Sequence, residues 1–246
     1  MRIDLNADVG EECGDDAALI PLLTSANVCC GAHAGGDDVM RRTVDLCLRH
    51  SVSVGAHFSY PDRTHFGRRE LELAPEELHQ SILRQLDALD GIVCAAGASL
   101  RYFKAHGALY NRMASDVAVA DTVLGALREF DASLPFLTLP ESAAMQRAGA
   151  LGMTAIGEAF ADRGYSDNGR LQPRGETDAL MTDPAAVASR ALAWIRTGMM
   201  QSVTGKLFGL RARSLCVHGD TPGAVALASA LRKVLLQAGV ELQAFA

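Results

Sequence analysis

Hydrophobic and polar positions alternate from the start of the chain. Ile3, Leu5, Ala7 and Val9 share one face of an extended segment and Asp4, Asn6 and Asp8 the other, a period of two that predicts a strand. Asp15 to Thr24 reads as a short helix and Ser25 to Gly31 as a second apolar strand. From Asp37 to His50 the spacing of Met40, Val44 and Cys47 marks one helical face, with Asp37 and Asp38 at the positive end of its dipole. Ser53 to Ser59 predicts the third strand. Pro75, followed by Glu76 and Glu77, opens a long helix carrying Leu78, Ile82, Leu86 and Leu89.

The alternation continues with strands at Leu100 to His106, Pro135 to Leu139, Met153 to Phe160 and Ser214 to Asp220. Helices are predicted over Asp116 to Phe130, over Ser142 to Gly149, from Asp183-Pro184 with Val187, Leu192, Ile195 and Met199, and from Thr221-Pro222 with Leu227, Leu231 and Val234. Val240 to Phe245 is a candidate closing strand, for a total of seven or eight βα units. Each return in such a repeat needs a crossover, so the sheet is parallel, either doubly wound or closed into a barrel. Residues 1–246 are expected to form a single domain.

Composition narrows the function classes. The net charge of −6 leaves no basic surface for nucleic acid, and no stretch approaches the roughly 18 consecutive apolar residues of a membrane helix. Met1 runs directly into the first strand without a basic or apolar leader, so a cytoplasmic location is expected. The six cysteines contain no CxxC pair and read as reduced and mostly buried.

Chemistry-bearing residues collect where the strands end: Asp8 and Glu11, then His33, His57, Lys104 and His106, Glu158 and Asp162, and finally His218 and Asp220. Tyr102, Lys104 and His106 share parity, as do Cys216, His218 and Asp220. A single histidine at a strand end is more often structural than catalytic, but four of them at one end of separate strands, with carboxylates, point to a site. Reactive groups at the C-terminal ends of strands favour the barrel, and no GxGxxG supports a dinucleotide fold. The GxxxxGK[ST], HExxH and GxSxG patterns are absent, removing P-loop, zinc-protease and α/β-hydrolase readings. Arg63, His65, Arg68 and Arg69 lie on a long loop after the third strand, which either binds a carboxylate or phosphate or is simply solvated. His50 and His79 read as surface residues, Trp194 as packing, and Asp4, deeper than Asp8, as structural.

The spaced motifs Asp4-Leu5-Asn6-Ala7-Asp8 with Gly10-Glu11, Cys30-Gly31 with His33-Ala34-Gly35, Gly55-Ala56-His57 and Pro61-Asp62-Arg63 with Phe66-Gly67-Arg68 resemble the LamB/YcsF family. His106 to Asn111, Phe160 to Tyr165, Pro173-Arg174 and Cys216 to Asp220 extend that resemblance over the whole chain. The resemblance implies an irregular seven-stranded (β/α) barrel of the glycoside hydrolase/deacetylase type. It also implies ATP-dependent opening of 5-oxo-L-proline to L-glutamate, with ATP accompanied by Mg²⁺, in a 5-oxoprolinase complex with subunits B and C. Gly36, Phe58 and Ala105 replace an Asp and two prolines usual in the family, which leaves any role of the loop at Gly36 resting on Asp37 or Asp38.

On that footing Asp8, His57, Lys104, His106, His218 and Asp220 are expected to carry the chemistry. Lys104 and Arg63 or Arg68 would bind phosphate or carboxylate, Asp8 or Asp220 would act as base, and the histidines would carry protons or donate to an oxyanion. Asn6, Glu11, His33, Asn111, Glu158, Asp162, Arg163 and Arg174 are the expected substrate- and phosphate-binding residues. Two alternatives stand beside this: a metal-dependent deacetylase or amidohydrolase with the ion on Asp8 and two histidines, and a substrate-binding subunit without catalysis.

Overall fold

The computed structural model describes residues 1–246. Seven parallel strands form a closed ring in the order β1 (Arg2–Val9), β2 (Ser25–Cys29), β3 (Ser53–Phe58), β4 (Tyr102–Ala105), β5 (Phe136–Thr138), β6 (Ala155–Phe160) and β9 (Ser214–His218), and β9 pairs back onto β1. The helices α1 (Asp16–Leu19), α2 (Asp37–Arg49), α3 (Pro75–Ala95), α4 (Gly107–Met113), α5 (Val117–Asp131), α6 (Ala143–Ala150), α7 (Pro184–Thr197) and α8 (Ala224–Gln237) accompany it. The predicted (β/α) barrel is therefore present, with seven strands in the ring.

The eighth candidate strand is a stub. β10 (Glu241–Leu242) pairs only with Arg2 and Ile3 at the start of β1, while from Asp4 onward β9 completes the ring. The tail that follows caps the floor of the barrel: Phe245 and Ala246 pack on the small apolar cluster of Tyr102, Leu137 and Ile156. The main core of 59 buried residues includes Leu5, Ala7 and Val9 of β1 and the apolar stripes of α3, α5 and α8.

Several element boundaries differ from expectation for local reasons. The segment 15–24 is only one α turn followed by a 3₁₀ turn at Ile20–Leu22, because Pro21 has no N–H for the α ladder. The last helix starts at Ala224, since Gly223 adopts φ 79°. α4 and the hairpin of β7 (Met199–Gln201) and β8 (Leu207–Gly209) have no counterpart in the hydrophobic pattern: α4 is seven residues long, too short to show a period, and each hairpin strand is three. Asp183 caps α7 by accepting from Ala185 N–H, and Gly198 closes it in the left-handed region. No helix is long and apolar enough to cross a membrane.

Candidate active site

The even positions of β1 point into the ring, and their register sets the site. Asp8 aligns with Asn27 of β2 and His218 of β9, His57 aligns with Cys29 and Lys104, and Glu158 aligns with Ser214. The interior is thus a stack of polar layers. Lowest is Asp4, which accepts from Thr24 Oγ1 at 2.6 Å, Ser25 Oγ at 2.7 Å and the Ser214 hydroxyl. Burial raises its carboxyl to about 6 in spite of those hydrogen bonds.

Above it, Asn6 donates to Ser214 Oγ at 2.7 Å and Glu158 Oε1 at 3.1 Å, and accepts from Asn27 Nδ2 at 2.7 Å. Asn27 also donates to Asp8 Oδ1 at 2.8 Å and accepts from the Tyr102 hydroxyl at 2.7 Å. Gly55 makes room for Tyr102, since a Cβ there would overlap its ring. Asn6 and Glu158 are fully buried and serve as struts that hold Lys104 and Asp8.

Lys104 Nζ sits 2.8 Å from Asp8 Oδ1 and 2.9 Å from Glu158 Oε1, with Cys216 Sγ at 3.4 Å. Burial alone would lower its pKa, but Asp8 foremost keeps it well above the ordinary value. Burial likewise pushes Asp8 up, and the neighbouring His57 imidazole and Lys104 ammonium outweigh it, holding the carboxyl well below its usual range. The second Glu158 oxygen accepts from the Tyr110 hydroxyl at 2.9 Å.

Beside this group Glu11 Oε1 meets His33 Nε2 at 2.9 Å, His106 Nδ1 at 3.2 Å and His57 Nε2 at 3.7 Å. Burial would raise the Glu11 carboxyl, but the imidazoles of His106 and His33 against it hold it far below the normal range. His33 stacks on His106 with ring centroids 4.0 Å apart. His106 is not the end of β4 but the residue before α4, its backbone extended so that the ring enters the site.

On the opposite wall Asp162 accepts from His218 Nδ1 at 3.0 Å, from His218 N–H at 3.1 Å and from Thr221 Oγ1 at 2.6 Å. Burial is overcome by the His218 charge and by these bonds, and its carboxyl is held low. Asp162 therefore orients His218, leaving the other ring nitrogen free, and does not face a ligand itself. One ring nitrogen of His218 lies within 4.8 Å of an Asp8 oxygen and of Cys216 Sγ.

Other expected residues lie elsewhere. β9 ends at His218, so the parity extended to Asp220 fails: its carboxylate sits at the rim, 2.5 Å from Arg68 Nη2 and 3.2 Å from Arg174 Nη1. Arg63 spans the carbonyls of Gly31 and Gly35 at 2.7 Å each, a loop clamp in place of an anion site. Arg163 is buried and donates to the carbonyls of Ala179 and Gln172. Asn111 is exposed on α4 and donates to Gly107 O. Asp37 and Asp38 are exposed on α2, so neither substitutes for the missing Asp inside the cluster.

Asn27, Tyr110 and Thr221 belong to the site although the pattern of strand ends does not mark them. Asn27 is findable, since Ser25, Asn27 and Cys29 give β2 the same polar parity as β1; Tyr110 and Thr221 carry no periodic signal. The loop 60–69 straps the mouth: Phe66 O accepts from His106 Nε2 at 3.0 Å, and Gly67 passes so close that a Cβ would overlap Ser59 Oγ.

Comparisons with known proteins agree with this architecture. The chain is 46% identical over 249 aligned positions to the A subunit of 5-oxoprolinase from Streptomyces avermitilis, covering 99% of this chain and 100% of the relative. A lactam utilization protein from Thermus thermophilus superposes with a TM-score of 0.94 at 39% identity, with 100% of each chain covered. A family 4 carbohydrate esterase from Streptomyces lividans shares the fold at a TM-score of 0.52 and 14% identity, over 100% of this chain and 93% of the esterase. With the family model matching residues 3–246, the chain belongs to the LamB/YcsF family.

Proposed function

We propose that this chain is the A subunit of an ATP-dependent 5-oxoprolinase, acting with subunits B and C to open 5-oxo-L-proline to L-glutamate. The name of the Streptomyces relative supports the reading at the level of the assembly. The observation that carries it to chemistry is the buried Asp8–Lys104–Glu158 group facing an Asp162-oriented His218.

A five-membered lactam keeps its amine and carboxyl at high effective concentration, so hydrolysis gains little and the unactivated amide resists water. ATP with Mg²⁺ removes the obstacle when its terminal phosphoryl passes to the amide oxygen and ADP leaves. Water then adds to the ring carbonyl carbon, the C–N bond breaks with its electron pair going to nitrogen, and a second water releases phosphate from the resulting acyl phosphate. His218 takes the proton of the attacking water and returns one to the departing nitrogen, with Asp162 stabilising its charged form. Asp8 is a poor base because His57 and Lys104 hold its proton affinity down, and Asp220 is tied to two arginines. The buried Lys104 ammonium offsets charge developing on oxygen. Arg68 and Arg174, at the rim, provide for a phosphate or substrate carboxylate by exchange with Asp220.

The test is to measure glutamate formed from 5-oxoproline by the chain alone and with subunits B and C, with and without ATP. The expected result is turnover only with all three subunits and ATP. Turnover by the isolated chain without ATP would favour an ordinary amidohydrolase, and full activity with this chain omitted would remove it from the reaction.

A further inference from the structure

Glu11, His33, His57 and His106 follow or end four successive strands, yet one donor atom from each lies within 4.8 Å of all the others, and all four side chains are buried. Their outward hydrogen bonds decide what faces inward. His57 Nδ1 meets the Lys104 carbonyl at 3.3 Å, an oxygen that can only accept, so the proton is on Nδ1 and Nε2 presents a lone pair. His106 Nε2 meets the Phe66 carbonyl at 3.0 Å, so its Nδ1 presents a lone pair too. These two inward nitrogens are 3.0 Å apart. Glu11 Oε1, also an acceptor, stands 3.2 Å from one and 3.7 Å from the other. Three acceptors converging on one point, with water excluded, is unfavourable unless a cation lies among them.

We propose that Glu11, His33, His57 and His106 hold a divalent first-row transition ion. The separations of Glu11 Oε1 from the three imidazole nitrogens, and of the His57 and His106 nitrogens from each other, run from 2.9 to 3.7 Å, close to those spanned by ion–ligand bonds of about 2.0–2.2 Å in a four-coordinate site. Backbone carbonyls receiving the outer N–H of His57 and His106 are the usual support of metal-bound imidazoles, fixing the tautomer and the ring. Imidazole with carboxylate suits zinc, iron, nickel or manganese and disfavours Cu(I). Asp8, expected from sequence as the carboxylate ligand, has Oδ1 on Lys104 and Asn27 and reaches only His57 of the three histidines, with Oδ2 at 3.4 Å, whereas Glu11 meets all three. The competing occupant is an extra proton bridging His57 and His106, balanced by Glu11.

The site stands on geometry alone, apart from the 5-oxoprolinase reading, and binding rather than turnover tests it. The chain, stripped with a chelator, is titrated with Zn²⁺ and separately with Co²⁺, with elemental analysis after desalting and visible spectra of the Co²⁺ form. The expected result is one ion per chain, a Co²⁺ spectrum without a thiolate charge-transfer band, and uptake unchanged by Cys216→Ser. Glu11→Gln and His33→Gln should each weaken binding by more than the roughly 10- to 100-fold that loss of an outer hydrogen-bond partner costs. Absence of saturable uptake by the folded wild-type chain would overturn the proposal in favour of the shared proton. A thiolate band that disappears in Cys216→Ser would overturn it by placing the ion on Asp8, Cys216 and His218. Should the variants fail to fold, the wild-type stoichiometry and spectrum still decide.

Discussion

Asp4 and Asp8 stand on the same strand face, four residues apart, and their surroundings drive them to opposite proton affinities. Asp8 meets an ammonium and an imidazole, whereas Asp4 meets only hydroxyls in a fully buried layer. With a folded pKa of about 6 against an ordinary 3.8, Asp4 binds its proton in the folded chain where the unfolded chain has lost it. Its contribution to stability is therefore present below about pH 4 and is lost as pH rises through about 6, a total of roughly 3 kcal/mol at 1.36 kcal/mol per unit. Urea unfolding of wild type and Asp4→Asn across pH 4 to 7 should show the wild type losing ground to the variant by that order; parallel curves would refute the shift. Asp162→Asn should keep the Thr221 contact but leave the His218 ring without its anion, lowering kcat of the assembled enzyme by about 10²- to 10⁴-fold with little change in KM. A change confined to KM would place Asp162 in binding. Among residues the sequence is most readable in β1, where parity alone sets Asp4, Asn6 and Asp8 on the interior face. It is least readable at Asp220, Arg63 and Arg163, because which partner satisfies a charge depends on loops distant in the chain.

Strand ends and loops convert those residues into a closed chamber. The strap at 60–69 crosses the mouth with Gly67 at φ 63°, where a Cβ would lie 3.0 Å from His33 Cβ and 3.1 Å from His106 Cδ2. Gly67→Ala should cost about 1–3 kcal/mol as an overpacked position, visible as a lower urea midpoint; an unchanged midpoint would mean that the strap is looser than this contact implies. Arg68, Asp220 and Arg174 join the strap, the turn after β9 and the loop before α7. The double variant Arg68→Ala, Arg174→Ala should speed amide hydrogen exchange in residues 60–69 and 162–180 while leaving global stability within about 1 kcal/mol, as ion pairs at a half-exposed rim contribute little. Equal exchange in both proteins would show that the loops hold without the pair. The long helices are legible from period and caps, as with Pro75 and Asp183, whereas α4 and the β7–β8 hairpin carry too few residues for a pattern to accumulate. α4 matters all the same, since it brings Tyr110 to Glu158.

As a whole the molecule is a ring with its apolar packing outside and polar layers inside, floored by Tyr102, Leu137, Ile156 and Phe245. Repeated βα units announce a parallel sheet, but closure by β9 on β1 depends on pairing between residues about two hundred positions apart, which no local pattern encodes. The polar interior is stable because nearly every group has a partner, and it concentrates one ammonium, several carboxylates and four histidines at one end. Whether this chamber opens the lactam is decided by Lys104→Met in the assembled complex with 5-oxoproline and ATP. Glutamate formation should fall by at least about 10²-fold, the loss typical of removing one preorganised charge-stabilising group, while the variant chain remains folded and assembled. Glutamate formed at the wild-type rate by that complex would contradict a role for the chamber in the chemistry.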